Sequence, residues 1–329
     1  MLLGYLARHW LVSRKSYSPV SWALSVARSM RVFRWPGQHR QLCELDLFRR
    51  YIAADSDSDV FHHLSHRDYL SRHLTPRQRV SCVLSHYQYE NATFDDSYKR
   101  AVYGGAGLTL WQHEQDGRTY SIILKSSQRY LGEGDLHLAI YSGEELLHRI
   151  GFSWVDGQIA GLDCAVAPFI ARNQGRWRDE QTEPLFNAFE DTFPHNSPAY
   201  FCAAAMQGLA SFAHASHLAC VKGELALAYK GAGGRCYAHA YDKFWDAFGG
   251  AQAAADCHVV PVPYQLKPLA DIPSKHRKRA STRRARWQEI SDAAQAALQA
   301  RRLSSRQSQV TDDVAAVPRI MAQPSMLDS

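Results

Sequence analysis

The part of this 329-residue chain that decides its fold is the segment Ala240-Tyr241-Asp242-Lys243-Phe244-Trp245-Asp246-Ala247-Phe248-Gly249-Gly250. Its four aromatic rings recur at near-helical spacing. The glycine pair that follows predicts a helix end, because glycine adopts the left-handed conformation found there. A helix with this much aromatic surface must pack on a large partner. We therefore place Trp245 in the core, on one helix face with Tyr241 and Phe248.

Apolar runs flank the aromatic segment and predict short buried strands at residues 217–221 and 257–262. Further upstream, a period of two in residues 108–111, 120–124, 136–141 and 147–155 indicates an antiparallel meander. Asp116-Gly117 and Ser142-Gly143 mark its turns. Residues 165–197 show no pattern that places them. A small-residue helix is predicted from Ser197-Pro198 to about Ala215, since proline suits the first turn of a helix.

The remaining segments divide the chain. Residues 1–100 are predicted to be mainly helical, with Thr75 and Pro76 starting one helix. Residues 101–270 form an α/β core, 271–302 a basic helix around Trp287, and 303–329 a disordered tail rich in Ser, Gln, Asp and Pro. The fold class is thus α/β (α+β), with a mixed, mainly antiparallel sheet and helices on both faces.

Positive charge concentrates in two segments. Residues 1–40 contain seven Lys or Arg and no acid, and residues 275–286 contain another seven, again with no acid. Such segments suit anionic partners, namely lipid head groups, tRNA or cofactor phosphates; the alternative is a solvated charged face. Seven scattered cysteines without a Cys-x-x-Cys pair indicate a cytoplasmic protein. No apolar run approaches the ~20 residues of a membrane span, and binding to lipid would make the protein peripheral to the inner membrane.

The order strand, helix, strand, aromatic helix, Gly-Gly, strand resembles the C-terminal half of the GCN5-related N-acetyltransferase (GNAT) fold. In that fold the acyl-CoA pyrophosphate binds at a helix N-terminus. The equivalent helix here begins at His195-Asn196-Ser197-Pro198, without the glycine-rich loop of that family. The tyrosine that often acts as general acid corresponds to Trp245, whose indole has no titratable proton for that role. The resemblance therefore implies the fold and a donor site without the usual catalytic residues.

Several short motifs resemble the VirK/YbjX family of Gram-negative bacteria, which is associated with virulence, envelope stress and tolerance of antimicrobial peptides. The matching segments are His86-Tyr87, 132–138, 150–154, Tyr241-Asp242-x-Phe244-Trp245 with Gly249-Gly250, and the basic run 275–284. The chain departs from the family pattern at residues 161–165, where Gly-x-Leu-Gln-Gly is usual. It departs again at Ser197-Pro198-Ala199, which replaces Arg-Pro-Lys and so removes two cations.

Two sets of candidate site residues follow. Glu133 and Asp135 flank Gly134 at a predicted strand start, and with His86 they form a candidate acid–base cluster. The alternative for these carboxylates is a solvated turn at a strand end. The resemblances further imply candidate cofactor contacts, with acyl-CoA or aminoacyl-tRNA as the cofactor, by Ser153, Asn196, Ser197 and Tyr241.

Three other patterns carry weaker signals. His62-His63-x-x-His66, with His73 beyond, has the spacing of metal ligands, but no cysteine or carboxylate pattern completes a site, so we expect no metal. The glycine-rich runs 104–107 and 231–234 lack the frame of a phosphate loop, and we expect flexible loops. Trp287 beside the basic run would stack on a nucleic-acid base, whereas a basic helix on anionic lipid explains the same residues.

Two functions of different classes remain. The first is an acyl or aminoacyl transferase-like protein acting in envelope stress or antimicrobial-peptide tolerance. The alternative is a non-catalytic binding or regulatory module that contacts anionic lipid or nucleic acid through its basic ends. Uptake of a donor by the purified protein separates the two, because a bound ligand raises the free energy of unfolding.

Overall fold

A computed structural model describes residues 2–54, 60–65, 68–127, 131–176, 178–229, 238–253 and 256–303. The strands in these ranges are β1 Leu108–Gln115, β2 Arg118–Ser126, β3 Leu136–Ser142, β4 Glu145–Val155, β5 Ala167–Gly175, β6 His217–Val221, β7 Ala251–Gln252 and β8 Cys257–Pro261. They form one sheet in the order β1-β2-β3-β4-β5-β6-β8-β7. Neighbouring strands are antiparallel except β5 and β6, which are parallel. The predicted mixed, mainly antiparallel α/β class is confirmed.

The α-helices surround this sheet. They are α1 Leu2–Ser16, α2 Pro19–Ser29, α3 Pro36–Glu44, α4 His62–Ser65, α5 Pro76–Thr93, α6 Asp96–Gly104, α7 Glu183–Thr192, α8 Pro198–Phe212, α9 Phe244–Asp246 and α10 Ser274–Gln299. Helix α5 packs on β4, α6 on β2, and α8 on β3, β4 and β5. One hydrophobic core joins the N-terminal helices, the sheet and α10, since Leu6, Ile140 and Leu298 belong to the same buried cluster.

Local signals start and end these elements as the sequence predicts. At the start of α5, Thr75 Oγ1 accepts the Gln78 N–H (3.4 Å), and Gln78 Oε1 accepts the Thr75 N–H (2.9 Å). Between β1 and β2, Asp116 and Gly117 have φ angles of 52° and 73°, which a two-residue hairpin turn requires. The predicted α5 start and this hairpin are confirmed.

Residues 165–197, which the sequence left unplaced, contain β5 and α7. Strand β5 lies between β4 and β6 and is buried along most of its length, so it lacks the alternation of a half-exposed strand. Pro168 lies inside β5, opposite Trp154 of β4. Because proline is uncommon in a central strand, Pro168 also makes this sequence look unlike a strand.

The aromatic segment forms a π-helical turn, Ala238–Lys243, that continues as α9. This differs from the regular α-helix that the spacing suggested, yet Tyr241, Trp245 and Phe248 are all buried as predicted. Gly249 has a φ of 84°, and the Gly250 N–H donates to the Trp245 carbonyl (3.0 Å). The glycine pair therefore ends the helix as expected.

Helices α8 and α10 pack closely along their length. They approach closely at Gly208, where an added Cβ would lie 2.2 Å from the Ser291 carbonyl oxygen and 3.0 Å from the Ala294 Cβ. Only a residue without a side chain fits between these backbones. The position of α10 on the core therefore depends on Gly208.

We predict that Trp245→Ala destabilises the protein by ~3–5 kcal/mol, because it empties a fully buried aromatic site. Trp245→Phe should stay folded, since the indole N–H has no hydrogen-bond partner among the described residues and phenylalanine keeps a ring. Thermal unfolding and soluble yield measure both variants. A Trp245→Ala protein of unchanged stability that lost function would instead place Trp245 in a ligand site.

A second prediction compares two glycines in helices. Gly208→Ala should destabilise the fold by ~1–3 kcal/mol, because its Cβ overlaps the Ser291 backbone. Gly37→Ala in α3 adds the same methyl group in open space and should cost nothing. Urea unfolding of the two variants provides the measurement. Equal midpoints would contradict the close contact of α8 with α10.

Candidate functional site

A buried polar network lies where α5 packs on β4 beside the start of β3. Its centre is the fully buried carboxylate of Asp135. Oδ2 accepts the hydroxyls of Tyr69 (2.5 Å) and Ser153 (2.6 Å). Oδ1 accepts the Tyr87 hydroxyl (3.1 Å) and lies 3.4 Å from His62 Nε2. Burial of a carboxylate is costly without such partners, so this arrangement fixes all of these groups.

The surroundings of Asp135 favour its ionised form. Burial by itself raises the pKa of Asp135, but the imidazoles of His86 and His62 and the Ser153 hydroxyl outweigh burial and hold the pKa well below its ordinary value. Burial and then the Asp135 carboxylate raise the pKa of Tyr69 and of Tyr87. Both phenols therefore stay protonated and donate to Asp135.

His86 lies beside this network, with its ring packed edge to face on the Tyr87 ring at 4.8 Å. Its Nδ1 accepts the backbone N–H of Trp154 (3.3 Å), so the ring proton of the neutral imidazole lies on Nε2, 3.1 Å from the Tyr103 oxygen. Burial lowers the pKa of His86 to about 4, although Asp135 raises it. The ring is therefore neutral at pH 7. It lies in the middle of α5.

The other end of this chain of hydrogen bonds is Glu90, which sequence reasoning missed. Its fully buried carboxyl accepts the hydroxyls of Tyr103 (3.2 Å) and Tyr98 (3.1 Å) and the Trp154 indole N–H (2.7 Å). Burial raises the pKa of Glu90 to about 7, although these hydrogen bonds lower it. The available signal was its spacing, since Glu90 follows His86 by four residues on the same helix face.

The structure brings together three of the predicted residues, His86, Asp135 and Ser153. Glu133 is separate from them, because its carboxylate pairs with Arg172. The solvated alternative for the two carboxylates is wrong for Asp135, which has no exposed surface. None of these residues lines the groove described next. Their part in catalysis stays a prediction, and in this structure they join α5 to β3 and β4.

A basic groove of about 470 Å³ lies between residues 192–196, which connect α7 to α8, and the first turns of α10. This groove is open to solvent and contains the start of the helix to which the sequence assigned donor binding. Five cations line it: Lys275, Lys278, Arg279, Arg283 and Arg286. The groove therefore has the chemistry of an anion site.

The cations differ in how they are held. Lys275, Lys278 and Arg279 are exposed, and within the described ranges none of them pairs with an acid. The Arg283 guanidinium lies over the Trp287 ring, 5.0 Å from its centroid. Arg286 pairs with Glu289 at 2.8 Å. Three cations are thus available to a ligand, and Arg283 is held in place by a cation–π contact.

The opposite wall of the groove is tied to α10. Asn196 Oδ1 accepts the Trp287 indole N–H (2.9 Å), and His195 has a left-handed backbone, with φ 64°. Ser197 occupies the N-cap position of α8, but its hydroxyl makes no capping hydrogen bond. Two of the predicted cofactor residues, Asn196 and Ser197, therefore lie at or beside the groove.

The other two lie elsewhere. Ser153 belongs to the Asp135 network, and Tyr241 is one of the buried rings of the aromatic segment. The idea that Trp287 stacks on a nucleic-acid base is wrong in this structure, because its ring is 8% exposed and already stacks on Tyr200 at 5.1 Å.

The remaining sequence patterns do not form sites in the described residues. His62 lies against Asp135, and His63 Nε2 lies 3.1 Å from His39 Nε2; His66 lies outside the described residues. Within those ranges no three His, Cys, Asp or Glu side chains are arranged to hold a metal ion. The glycine run 104–107 ends α6 and leads into β1. The run 231–234 and the tail from residue 304 lie outside the residues that the structure describes.

Fold and groove together define a mixed α/β protein with a basic groove beside the N-terminus of a crossover helix. A family model described as a protein of unknown function (DUF535) matches residues 40–299. The chain therefore belongs to the DUF535 family, which is the VirK/YbjX family that its motifs resemble. No curated protein and no solved structure matched the chain. Among the described helices, none has both the length and the apolar character of a membrane span.

We predict that Glu90 makes stability fall as pH rises from about 4.5 to 7. Its pKa rises from 4.5 to about 7 on folding, so the native state binds the extra proton in this window. Relative to Glu90→Gln, the wild type should lose on the order of 2–4 kcal/mol across the window. Urea unfolding at several pH values, with the exposed Glu145→Gln as control, tests this. A difference that stays constant with pH would contradict it.

Proposed function

We propose that this protein binds a phosphate-bearing acyl donor in the basic groove and acts as an acyl or aminoacyl transferase-like protein. The observation that carries the proposal is the set of three exposed cations, Lys275, Lys278 and Arg279, without acidic partners in the described ranges. Like charges held this close repel one another unless an anion lies between them. A ligand with several phosphates supplies that anion.

The start of α8 adds a second attraction for phosphate. The first backbone N–H groups of a helix lack partners within the helix, and the helix dipole makes this end positive. Here Pro198 carries no N–H and the Tyr200 N–H donates to the Ser197 carbonyl (3.1 Å), but the Ser197 hydroxyl makes no capping hydrogen bond, and Asn196 lines the groove directly before this positive helix end. The two cations that the family motif usually carries at this helix start are absent here, so the positive charge of the groove comes from α10.

The connection of the strands supports a GNAT-like core. Helices α7 and α8 connect β5 to β6, the one parallel pair of the described sheet, with α8 leading directly into β6. The aromatic segment and β8 follow in the predicted order. In the GNAT resemblance, this crossover helix is the one that binds the donor phosphates. The groove lies at its N-terminus, where that resemblance expects a donor.

The size of the groove favours acyl-CoA over aminoacyl-tRNA as the donor. Its volume of about 470 Å³ is in the range of small-molecule sites. In the transfer, the bond from the acyl carbon to the thiol sulfur breaks, and a bond to an amine or hydroxyl of the acceptor forms. His195 lines the groove, and we assign its imidazole the role of accepting the acceptor's proton. The thiolate leaves and takes this proton from the His195 imidazolium, which restores the neutral imidazole.

The cellular setting of the proposal comes from the family resemblance. In this proposal the protein is cytoplasmic and modifies or senses a component of the envelope under stress or antimicrobial-peptide attack. The alternative without catalysis is a module that binds the same phosphate-bearing ligand and transfers nothing. Both functions use the groove, but only the transferase turns over its donor.

We predict that Lys278→Gln/Arg279→Gln weakens the binding of acetyl-CoA by about tenfold or more, because charged hydrogen bonds to phosphate are lost. Calorimetric titration provides the dissociation constants. The matched control is Arg77→Gln/Arg100→Gln, which removes two exposed cations of α5 and α6 that do not line the groove, and it should bind as the wild type does. Pantetheine, which lacks the nucleotide phosphates, should not bind.

Release of free thiol from acetyl-CoA in the presence of amine acceptors then tests catalysis. Turnover that His195→Gln lowers without weakening donor binding supports the transferase. Binding with no thiol release supports the non-catalytic module. Equal binding of acetyl-CoA by both double variants, or no binding of either donor, would show that the groove is not a donor site. Absence of acetyl-CoA binding together with a groove-dependent affinity for aminoacyl-tRNA would identify the other donor.

A further inference from the structure

Exposed apolar side chains concentrate in the first helices of the chain. Among the described residues, seven of the eight exposed large hydrophobic side chains lie between residues 3 and 33. They are Leu3, Leu11, Tyr17, Val20, Leu24, Met30 and Phe33, with exposed fractions from 40% to 72%. Scattered exposed leucines are ordinary, but a concentration of this kind marks an interaction surface.

Helices α1 and α2 form a hairpin with a well-defined inner side. The Trp22 indole N–H donates to the Trp10 carbonyl (2.8 Å), and the Trp10 indole N–H donates to Ser29 Oγ (2.6 Å). Leu6 faces the core and is fully buried. The hairpin is therefore packed on the protein, and its exposed side chains are not those of an unfolded segment.

The exposed apolar residues follow helical spacing on the outer side of each helix. Leu3 and Leu11 are two steps of four apart on α1, with the exposed Ala7 between them. Val20 and Leu24 are one step of four apart on α2. Residues at such spacings share a helix face. Each helix thus carries an apolar stripe away from the core, and Leu11 and Val20 lie close to the turn between the helices.

The same segment is strongly basic. Residues 1–40 contain seven Lys or Arg and no acid, and within the described ranges none of these cations pairs with a carboxylate. Lys15, Arg31 and Arg34 are exposed. At the hairpin turn, the Arg14 guanidinium lies 5.8 Å from the Trp22 ring, beside a cavity of about 300 Å³. Tyr17, Pro19 and Trp22 complete this cavity.

We propose that the α1–α2 hairpin docks on the surface of an anionic phospholipid bilayer. Leu11, Val20 and Leu24 enter the boundary between head groups and acyl chains, while Lys15, Arg31 and Arg34 contact lipid phosphates. Interfacial helices combine an apolar face with Lys and Arg in this way, and Trp and Tyr occupy the level of the head groups. Each cation near an anionic surface adds to the binding.

Charge selects lipid over other occupants of this surface. A second copy of the chain would bring two acid-free, sevenfold basic segments face to face, which is unfavourable. A nucleic acid would use the cations but leave the aliphatic stripe exposed to water. An anionic bilayer satisfies both features at once. The surface lies outside residues 40–299 that the family model matches, so it is a property of this chain beyond the family core.

The test is co-sedimentation of the full chain with vesicles of phosphatidylcholine alone or mixed with phosphatidylglycerol. We expect the wild type to bind the mixed vesicles only. Two triple variants should each lose affinity for these vesicles by about tenfold or more: Leu11→Ser/Val20→Ser/Leu24→Ser and Lys15→Gln/Arg31→Gln/Arg34→Gln. Arg77→Gln/Arg100→Gln/Arg118→Gln removes the same charge from exposed positions elsewhere and should bind as the wild type does.

Every replaced side chain is exposed. We therefore expect the variants to lose vesicle binding while their circular dichroism spectra and melting temperatures stay unchanged. Equal sedimentation of the serine variant and the wild type would overturn the proposal. Absence of vesicle binding by the wild type would also overturn it. A dimer that the serine variant dissociates would then make a second copy of the chain the occupant of this surface. The groove variant Lys278→Gln/Arg279→Gln separates the two proposals, since only donor binding should depend on it.

Discussion

The burial of one carboxylate, Asp135, is the constraint on which the core of this protein depends. It precedes β3, and its partners come from three other parts of the chain: Tyr69 after α4, Tyr87 on α5 and Ser153 on β4. Gly134 before it has a φ of 118°, and an added Cβ would lie 2.4 Å from the Phe152 backbone nitrogen. The chain therefore approaches β4 closely enough for Ser153 to reach the carboxylate. Loss of any one donor would remove a hydrogen bond to a buried charge, which costs more than loss of a hydrogen bond between neutral groups.

A second buried acid behaves in the opposite way. The pKa of Asp135 is held below its ordinary value, whereas burial raises the pKa of Glu90 to about 7. Their hydrogen-bonded groups meet where the His86 and Tyr87 rings pack edge to face, 4.8 Å apart, so neighbouring parts of the core hold an ionised carboxylate and one that takes up a proton near neutrality. Such networks specify a single packing because every member needs its partner. This network explains why the helical N-terminal region and the sheet share one core.

The sequence was most informative where structure is decided by neighbouring residues. The capped start of α5 at Thr75, the hairpin at Asp116 and the helix end at Gly249 are each set by a few adjacent residues. It was least informative where distant segments decide. Strand β5 is covered on both faces, so its alternation is lost, and Asp135 looked like a solvated turn residue because its donors are distant in sequence.

The groove shows the same limit. The basic run 275–286 and the helix start at Asn196 were both recognised in the sequence, but as separate signals. Their meeting depends on the packing of α10 along α8, which no local pattern encodes. Trp287 was read as exposed because it follows a run of cations, whereas its ring and indole N–H are used to hold Tyr200 and Asn196. The aromatic core positions were easier, because a dense aromatic cluster has few alternatives to burial.

The close contact at Gly208 has a consequence for recognition. Because α8 and α10 touch backbone to backbone there, the distance between the two walls of the groove is set before any ligand arrives. Asn196 and Arg283 are likewise already positioned by Trp287. Binding then costs mainly the rotational freedom of the side chains of Lys275, Lys278 and Arg279, and little loss of backbone entropy. A groove of fixed width distinguishes anions by their shape as well as by their charge.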